Sequence, residues 1–403
     1  MFKKTLFLLA ASASLFATIG AQASDGVVEI NHACATATGC FPGDTAGYPV
    51  TITSASPTNF RLTGNLVVSN ENTNVITIGA AEDGVSIDLG GFKISGPNDC
   101  TQNQITKEVS CTRQGDGGGI RSFSPSVGGI SVRNGAVYGM GYSGIEVLGA
   151  GAQVRDVRVA DCGAAGVRLS NERGVVENVS VKEVGLTGIQ TANHSVVRNS
   201  TVLSSGRNGI ALGFSSRVEG STSSSNRYSG FFGGATSSFV GNTSDSNSEY
   251  GIRVFGDGGL VKDNTVNGNG LDGILAGSIT TIESNSVRNS GDRGIETGSG
   301  SVVSGNTVSG SSSDGIYATD GTTVRGNSVF DNGTDSSDDG IHCTLGCVAQ
   351  GNTLRANAGY GLRFNTGSSV YMENAIGANN LAGTVVSGRD GGSNVCGTTL
   401  NCP

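Results

Sequence analysis

The chain has 403 residues, with 33 Asp and Glu against 25 Lys and Arg and a formal net charge of −8. That balance excludes a nucleic-acid backbone as the natural partner and disfavours any polyanion unless a cation bridges the two. With 66 Gly and no Trp it is not composed like an ordinary globular enzyme, and its glycines do not fall in collagen triplets.

At the N-terminus, Lys3 and Lys4 precede an apolar run from Leu6 to Ile19 and then Ala21-Gln22-Ala23. This pattern predicts an export signal over residues 1–23 and a mature protein in the periplasm or outside the cell. The apolar run is too short to span a bilayer as a helix, and no later segment supplies one, so no membrane insertion is expected. Nine cysteines in an exported chain point to disulfides. Eight fall in close pairs, Cys34/Cys40, Cys100/Cys111, Cys343/Cys347 and Cys396/Cys402. Spacing leaves the connectivity open, and local pairing is its simplest solution. Cys162 is left over and reads as a small buried thiol.

From Gly144-Ile145 to Gly361-Leu362, a Gly followed by an apolar residue recurs every 21 or 22 residues, with one exception. The step from Gly315 to Gly340 is 25, and the extra residues lie in "DNGTDSSDDG". Each period opens with Gly-Ile-x-Val, continues to a second apolar pair and an Asn ("VSGNTV", "VRGNSV"), and ends in a Gly/Ser/Asn turn. No 3.6-residue period is present, so the unit is three short strands with tight turns. Such a unit cannot bury its apolar face alone. Stacking at about 4.8 Å per turn gives every backbone group a partner and creates one continuous core.

Once per turn, Asn264, Asn285, Asn306, Asn327, Asn352 and Asn374 recur and are expected to stack at one corner as a structural column. Four residues before each Gly lies a second slot, holding Cys162, Ser205, Asn226, Asn247, Asn269, Ser290, Ser311, Ser336 and Asn357.

These repeats resemble the right-handed parallel β-helix superfamily that includes pectate lyases and polygalacturonases. The likeness covers residues 144–383 and extends back through "VSIDLGGFKI". It implies an all-β, right-handed parallel β-helix over 60–383. The segments 24–59 and 384–403 would serve as caps, and 97–128 as a Cys-clipped insertion. One such scaffold hosts many activities.

If Ile and Val point inward, x points outward, and x residues of successive coils form a column. From Glu296 it reads Glu296, Tyr317, His342, Arg363, which makes a candidate sugar-binding stripe. Just before the Gly, Asp314 and Asp339 fall in consecutive coils, so their carboxylates are expected about 5 Å apart. Asp338 adjoins them. Such a pair can act as acid and base or share a calcium ion. Polygalacturonases place an Asp in "NTD", a "DD" pair one coil on, a "GHG" histidine one coil further, and then "RIK". By this resemblance "SSSDGIY" supplies Asp314, and "SDDGIH" supplies Asp338 and Asp339. The chain departs at "NAGYGLRF", which has no His, and no Arg-x-Lys follows; His342 lies one strand position from the pair instead. In a pectate-lyase reading Arg363 is the basic proton acceptor.

Two functions therefore stand side by side. One is an exported protein that binds, and as hydrolase or lyase cleaves, a polysaccharide on coils 294–363, with Asp314, Asp338, Asp339 and His342 catalytic and Glu296, Tyr317 and Arg363 binding. The other is a non-catalytic surface or matrix protein. The oligomeric state is open.

Overall fold

The computed structural model describes residues 26–79, 83–379, 385–397 and 402. The expected signal over 1–23 lies outside them. The described residues form an almost helix-free parallel β-helix. Fifteen parallel strands, one per coil from Val50–Ile52 to Val385–Val386, make one flank. The other two flanks are built from pairs of short strands, such as Val302–Ser304 and Thr307–Ser309, hinged at the left-handed Gly305 (φ 65°). In the early coils the two run on as one strand, Ser131–Tyr138 or Gln153–Ala160, with Asn134 or Asp156 in the left-handed conformation at the bend.

Alternation decides which side chains are inside. Ile274, Ile295, Ile316 and Ile341 stack along the first flank, each fully buried. Each such burial contributes roughly 1.5–3 kcal/mol. The Gly before each of them is required by packing, because a Cβ at Gly294 would lie 2.2 Å from Val308 Cγ1 and one at Gly315 would lie 2.3 Å from Val329 Cγ1. The repeated Gly is thus the space into which a Val from the third strand packs.

The Asn column is an inter-coil ladder. Asn306 Oδ1 accepts from Asn285 N (2.8 Å) and Asn285 Nδ2 (2.9 Å), and its Nδ2 donates to Ile282 O and Asn327 Oδ1 (both 3.0 Å). All six members are buried. The second slot differs in one place from the sequence reading. Asn332, not Ser336, continues it, accepting from Ser311 N (3.1 Å) and donating from its own N to Asn357 Oδ1 (3.2 Å). The long coil keeps its ladder rung and places the extra residues after it, leaving Ser336 exposed.

The ends and the insertion also shift from expectation. Val28–Ile30 already pairs with Asn59–Leu62, and Val50–Ile52 with Ile76–Ile78, so regular pairing begins well before residue 60. At the other end Val395–Cys396 pairs with Ala375–Ile376. Ile120–Ser122 is a rung of the fifteen-strand flank, which confines the insertion to residues before it. There Cys100–Gln102 and Val109–Cys111 form a hairpin closed by the Cys100–Cys111 disulfide. Cys34–Cys40 and Cys396–Cys402 are likewise bonded.

The local pairing expected of Cys343 and Cys347 is corrected: both are buried free thiols. Cys343 ends an inward-facing strand, while Cys347 Sγ turns to the carbonyls of Thr319 (3.6 Å) and Ala318 (3.9 Å). Donating its hydrogen bond to Cys347, together with burial, holds the Cys343 thiol well above its ordinary range. Cys162 is a buried free thiol whose pKa burial pushes up to about 12. Among the described residues no helix is long and apolar enough to cross a membrane.

Candidate functional site

The strands Ile295–Thr297, Ile316–Ala318, Ile341–Cys343 and Leu362–Phe364 are adjacent rungs, and their registers place Glu296, Tyr317, His342 and Arg363 side by side in that order. All four are half-buried. Glu296 is ion-paired to Arg293, whose guanidinium lies 4.0 Å from the centre of the Tyr317 ring. The Tyr317 and His342 rings meet edge to face at 5.1 Å.

Asp314 and Asp339 sit beneath this row and are buried, at 5% and 0% exposure. The sequence places them at a charged surface edge. The structure uses one oxygen of each as a backbone cap for the next coil. Asp314 Oδ1 accepts from Asp339 N (2.6 Å), and Asp339 Oδ1 accepts from Tyr360 N (2.8 Å). Asp272 does the same for Arg293 N (3.0 Å), as does Asn208 for Ser229 N (3.1 Å). The second oxygens turn to the outer row: Asp314 Oδ2 lies 3.3 Å from His342 Nδ1, and Asp339 Oδ2 accepts from Arg363 Nε.

His342 is braced on both sides, since its Nε2 lies 2.9 Å from Asn365 Oδ1. Burial pulls the imidazole pKa down, but the Asp314 and Asn365 bonds and the two carboxylates outweigh this and hold it above its ordinary value. The imidazolium uses both N–H groups as donors here; the neutral form needs the Asn365 amide turned to donate to Nε2. Asp339 is held above the usual carboxyl range by burial, and the Asp314 charge adds to this, against the opposing Tyr360 amide and Arg363.

Asp338 is not part of this set. Its Oδ2 accepts from Thr334 N (2.8 Å) and Asp335 N (3.0 Å), capping the inserted turn from within. The apparent Asp338-Asp339 pair therefore divides, Asp338 closing the inserted turn and Asp339 capping the next coil.

One atom from each of Asp314, Asp339 and His342 lies within 4.8 Å of the others. Calcium takes six to eight oxygen ligands, and this set offers one nitrogen and carboxylates already engaged by two amides and a guanidinium. The donors do not fit calcium.

The outer column before Glu296 carries two further features. Glu146, buried, bridges Arg121 (2.8 Å) and Arg168 (3.5 Å). Further along, Phe232 stacks on Phe255 with ring centres 6.5 Å apart. The signal in the sequence is one aromatic per coil in three successive coils, Phe232 at the x position itself and Phe214 and Phe255 three and two residues after it.

The description "Right handed beta helix region" matches residues 99–244 and 229–381, and the chain belongs to that family. Among solved structures it is similar to the A-module of mannuronan C-5 epimerase AlgE4 from Azotobacter vinelandii, at 15% identity over 82% of this chain and 87% of that one, TM-score 0.39. It is also similar to the periplasmic alginate epimerase AlgG (13%, 82% and 76%, TM-score 0.42). A third is the catalytic unit of the GH87 α-1,3-glucanase of Streptomyces thermodiastaticus (15%, 94% and 64%, TM-score 0.42). At these identities the likeness concerns the fold alone. No curated protein matches the chain in sequence.

Proposed function

We propose that this is an exported protein that binds a polysaccharide along the outer face of coils 294–363 and that His342 moves a proton to or from a sugar held there. The observation that carries the reading is the braced imidazole: Asp314 at Nδ1, Asn365 at Nε2, the Tyr317 ring edge-on, and Arg363 in the next rung. A carboxylate behind Nδ1 orients an imidazole and stabilises its charged form, which suits it to general acid–base work. Hydrolysis by two carboxyl groups is disfavoured, because it needs both within reach of substrate and Asp339 is fully buried with both oxygens engaged. Arg363, anchored through Nε, is left to meet a sugar carboxylate or hydroxyl with its Nη atoms.

The test is a panel of alginate, polygalacturonate, hyaluronate, dextran and xylan, scored for binding, for reducing and unsaturated ends, and for deuterium uptake from solvent. His342→Ala should lower turnover by roughly 10²–10⁴-fold with little change in thermal midpoint. The wild-type rate should change through a midpoint above the ordinary ~6.5 of histidine, rising with pH where His342 takes the proton and falling where it gives one, and Asp314→Asn should move that midpoint down. A wild type that binds no panel member sinks the reading.

A non-catalytic binding or matrix role is favoured by one observation. Asp314 and Asp339 share their capping contact with Asp272 and Asn208, which lie outside the braced set. Binding with no released ends and no deuterium uptake would select it.

A further inference from the structure

We infer a second carbohydrate subsite, an aromatic platform built by Phe214, Phe232 and Phe255 on the same face as His342; it rests on the polysaccharide reading above and names how that chain is held. Phe214 and Phe255 are 53% and 60% exposed, whereas Phe231 and Phe239 of the coil between them are fully buried in the core. They come from three successive coils and converge on Gly233-Gly234. Phe255 stacks on Phe232 with the ring planes 22° apart. Phe214 lies so close over Gly234 that a Cβ there would sit 2.5 Å from its Cδ1. The glycine allows a ring to lie against the backbone of the next coil.

Polar groups border the rings. The Arg253 guanidinium is 5.9 Å from the centre of Phe232 and 5.0 Å from that of Tyr250. A pyranose has an apolar C–H face and a rim of hydroxyls, so flat rings edged by a cation and a phenol suit it.

Two arguments select a glycan over a protein partner. The first is area: three partly exposed rings offer on the order of 300 Å², far below the ~800 Å² per partner of a stable interface. The second is continuity. Phe232, Arg253, Leu275, Glu296 and Tyr317 occupy successive rungs of one column. At about 4.8 Å per rung the platform lies roughly 19 Å from Tyr317. A chain molecule lying along the column meets both places at once, and a trisaccharide bound at His342 does not reach the platform. The platform therefore sets preference for chain length.

The experiment compares wild type with the double variant Phe214→Ala, Phe255→Ala, using the panel polymer that wild type retains, offered as polymer and as its trisaccharide, by calorimetry. The double variant should bind the polymer ~10- to 100-fold more weakly, with trisaccharide affinity and thermal midpoint unchanged. Polymer affinity equal to wild type overturns the platform while leaving the His342 site standing. Equal losses for polymer and trisaccharide also overturn it, since the effect then lies at the His342 site. A wild-type dimer that the double variant dissolves makes the rings a subunit contact and overturns it as well. A wild type that retains no polymer removes the polysaccharide reading and the platform together.

Discussion

Two columns carry hydrogen bonds from coil to coil, and they close differently. In the Asn ladder the amide of one coil donates forward to the Oδ1 of the next, as Asn285 N does to Asn306. The Nδ2 group then satisfies both a carbonyl and the next Asn. Nothing is left over, and the column is neutral and buried. In the Asp column the direction is reversed, with Tyr360 N donating back to Asp339 Oδ1. A carboxylate has no N–H to give, so its second oxygen and its charge need a partner from elsewhere. Asp314 and Asp339 find one in His342 and Arg363, the x residues one rung on. Asp272 faces Glu296 from the same kind of position, and burial, with Glu296 adding, pushes it up to about 7. The spare oxygen of an Asp in this column meets a basic partner at Asp314 and Asp339, where the next x residue is His or Arg, and faces an acid at Asp272. The candidate site is what a structural cap becomes when its spare oxygen reaches a basic surface residue.

The largest effect should come from breaking the closed column. Asn306→Ala leaves Asn285 N without its acceptor in the interior and removes the amide bonds to Ile282 O and Asn327 Oδ1. At ~1–3 kcal/mol for the unsatisfied buried amide and ~0.5–1.5 kcal/mol for each lost hydrogen bond, the variant should lose about 2–5 kcal/mol by chemical denaturation. A loss under ~1 kcal/mol would show that the ladder is not what joins the coils.

Much of this contrast is legible in the sequence. The period is, because Ile, Val and Gly must recur wherever three strands share one core, and a fixed period assigns each residue to a column. Glu296, Tyr317, His342 and Arg363 align by that count alone. What counting cannot supply is the direction of a side chain within a turn. Ser336 lies four residues before Gly340, yet Asn332 holds the rung, since length does not say where in a turn the added residues go. Charge at Asp314 and Asp339 suggests a surface, whereas the backbone amides they cap draw them inside. The period does not reveal the Phe platform, because only Phe232 stands in the x column while Phe214 and Phe255 come from the turns after their strands.

Next in size is the Asp272 test. In the unfolded chain an Asp titrates near ~3.9, and in the folded protein Asp272 is held at about 7. The folded state binds the extra proton between these values. Its contribution to stability is therefore fully present below about pH 4 and is lost as pH rises through about 7. Asp272→Asn keeps an oxygen for Arg293 N and removes the charge. The variant should match wild type near pH 4 and be more stable at pH 8 by roughly 1–3 kcal/mol, read as thermal midpoints across that range. Equal pH dependence for the two proteins would mean that Asp272 is not the strained member of the column.

The smallest effect, and the sharpest separation of motif from structure, belongs to Asp338. Beside Asp339 it looks like half of a catalytic pair. Its Oδ2, however, takes the amides of Thr334 and Asp335 and lies 3.4 Å from Thr334 Oγ1, while Oδ1 is 3.5 Å from Ser313 Oγ. Thr334 and Asp335 are exposed, so water replaces the lost carboxylate in Asp338→Ala. The cost should be about 1 kcal/mol or less, a small fall in thermal midpoint confined to the turn. Polysaccharide binding and turnover should stay within about twofold of wild type, against the ~10²-fold or greater loss expected of a group that transfers protons. Measured beside His342→Ala on the same polymer, a collapse of turnover in Asp338→Ala would return the acid–base role to the adjacent carboxyl pair. It would then take that role from the imidazole braced by Asp314.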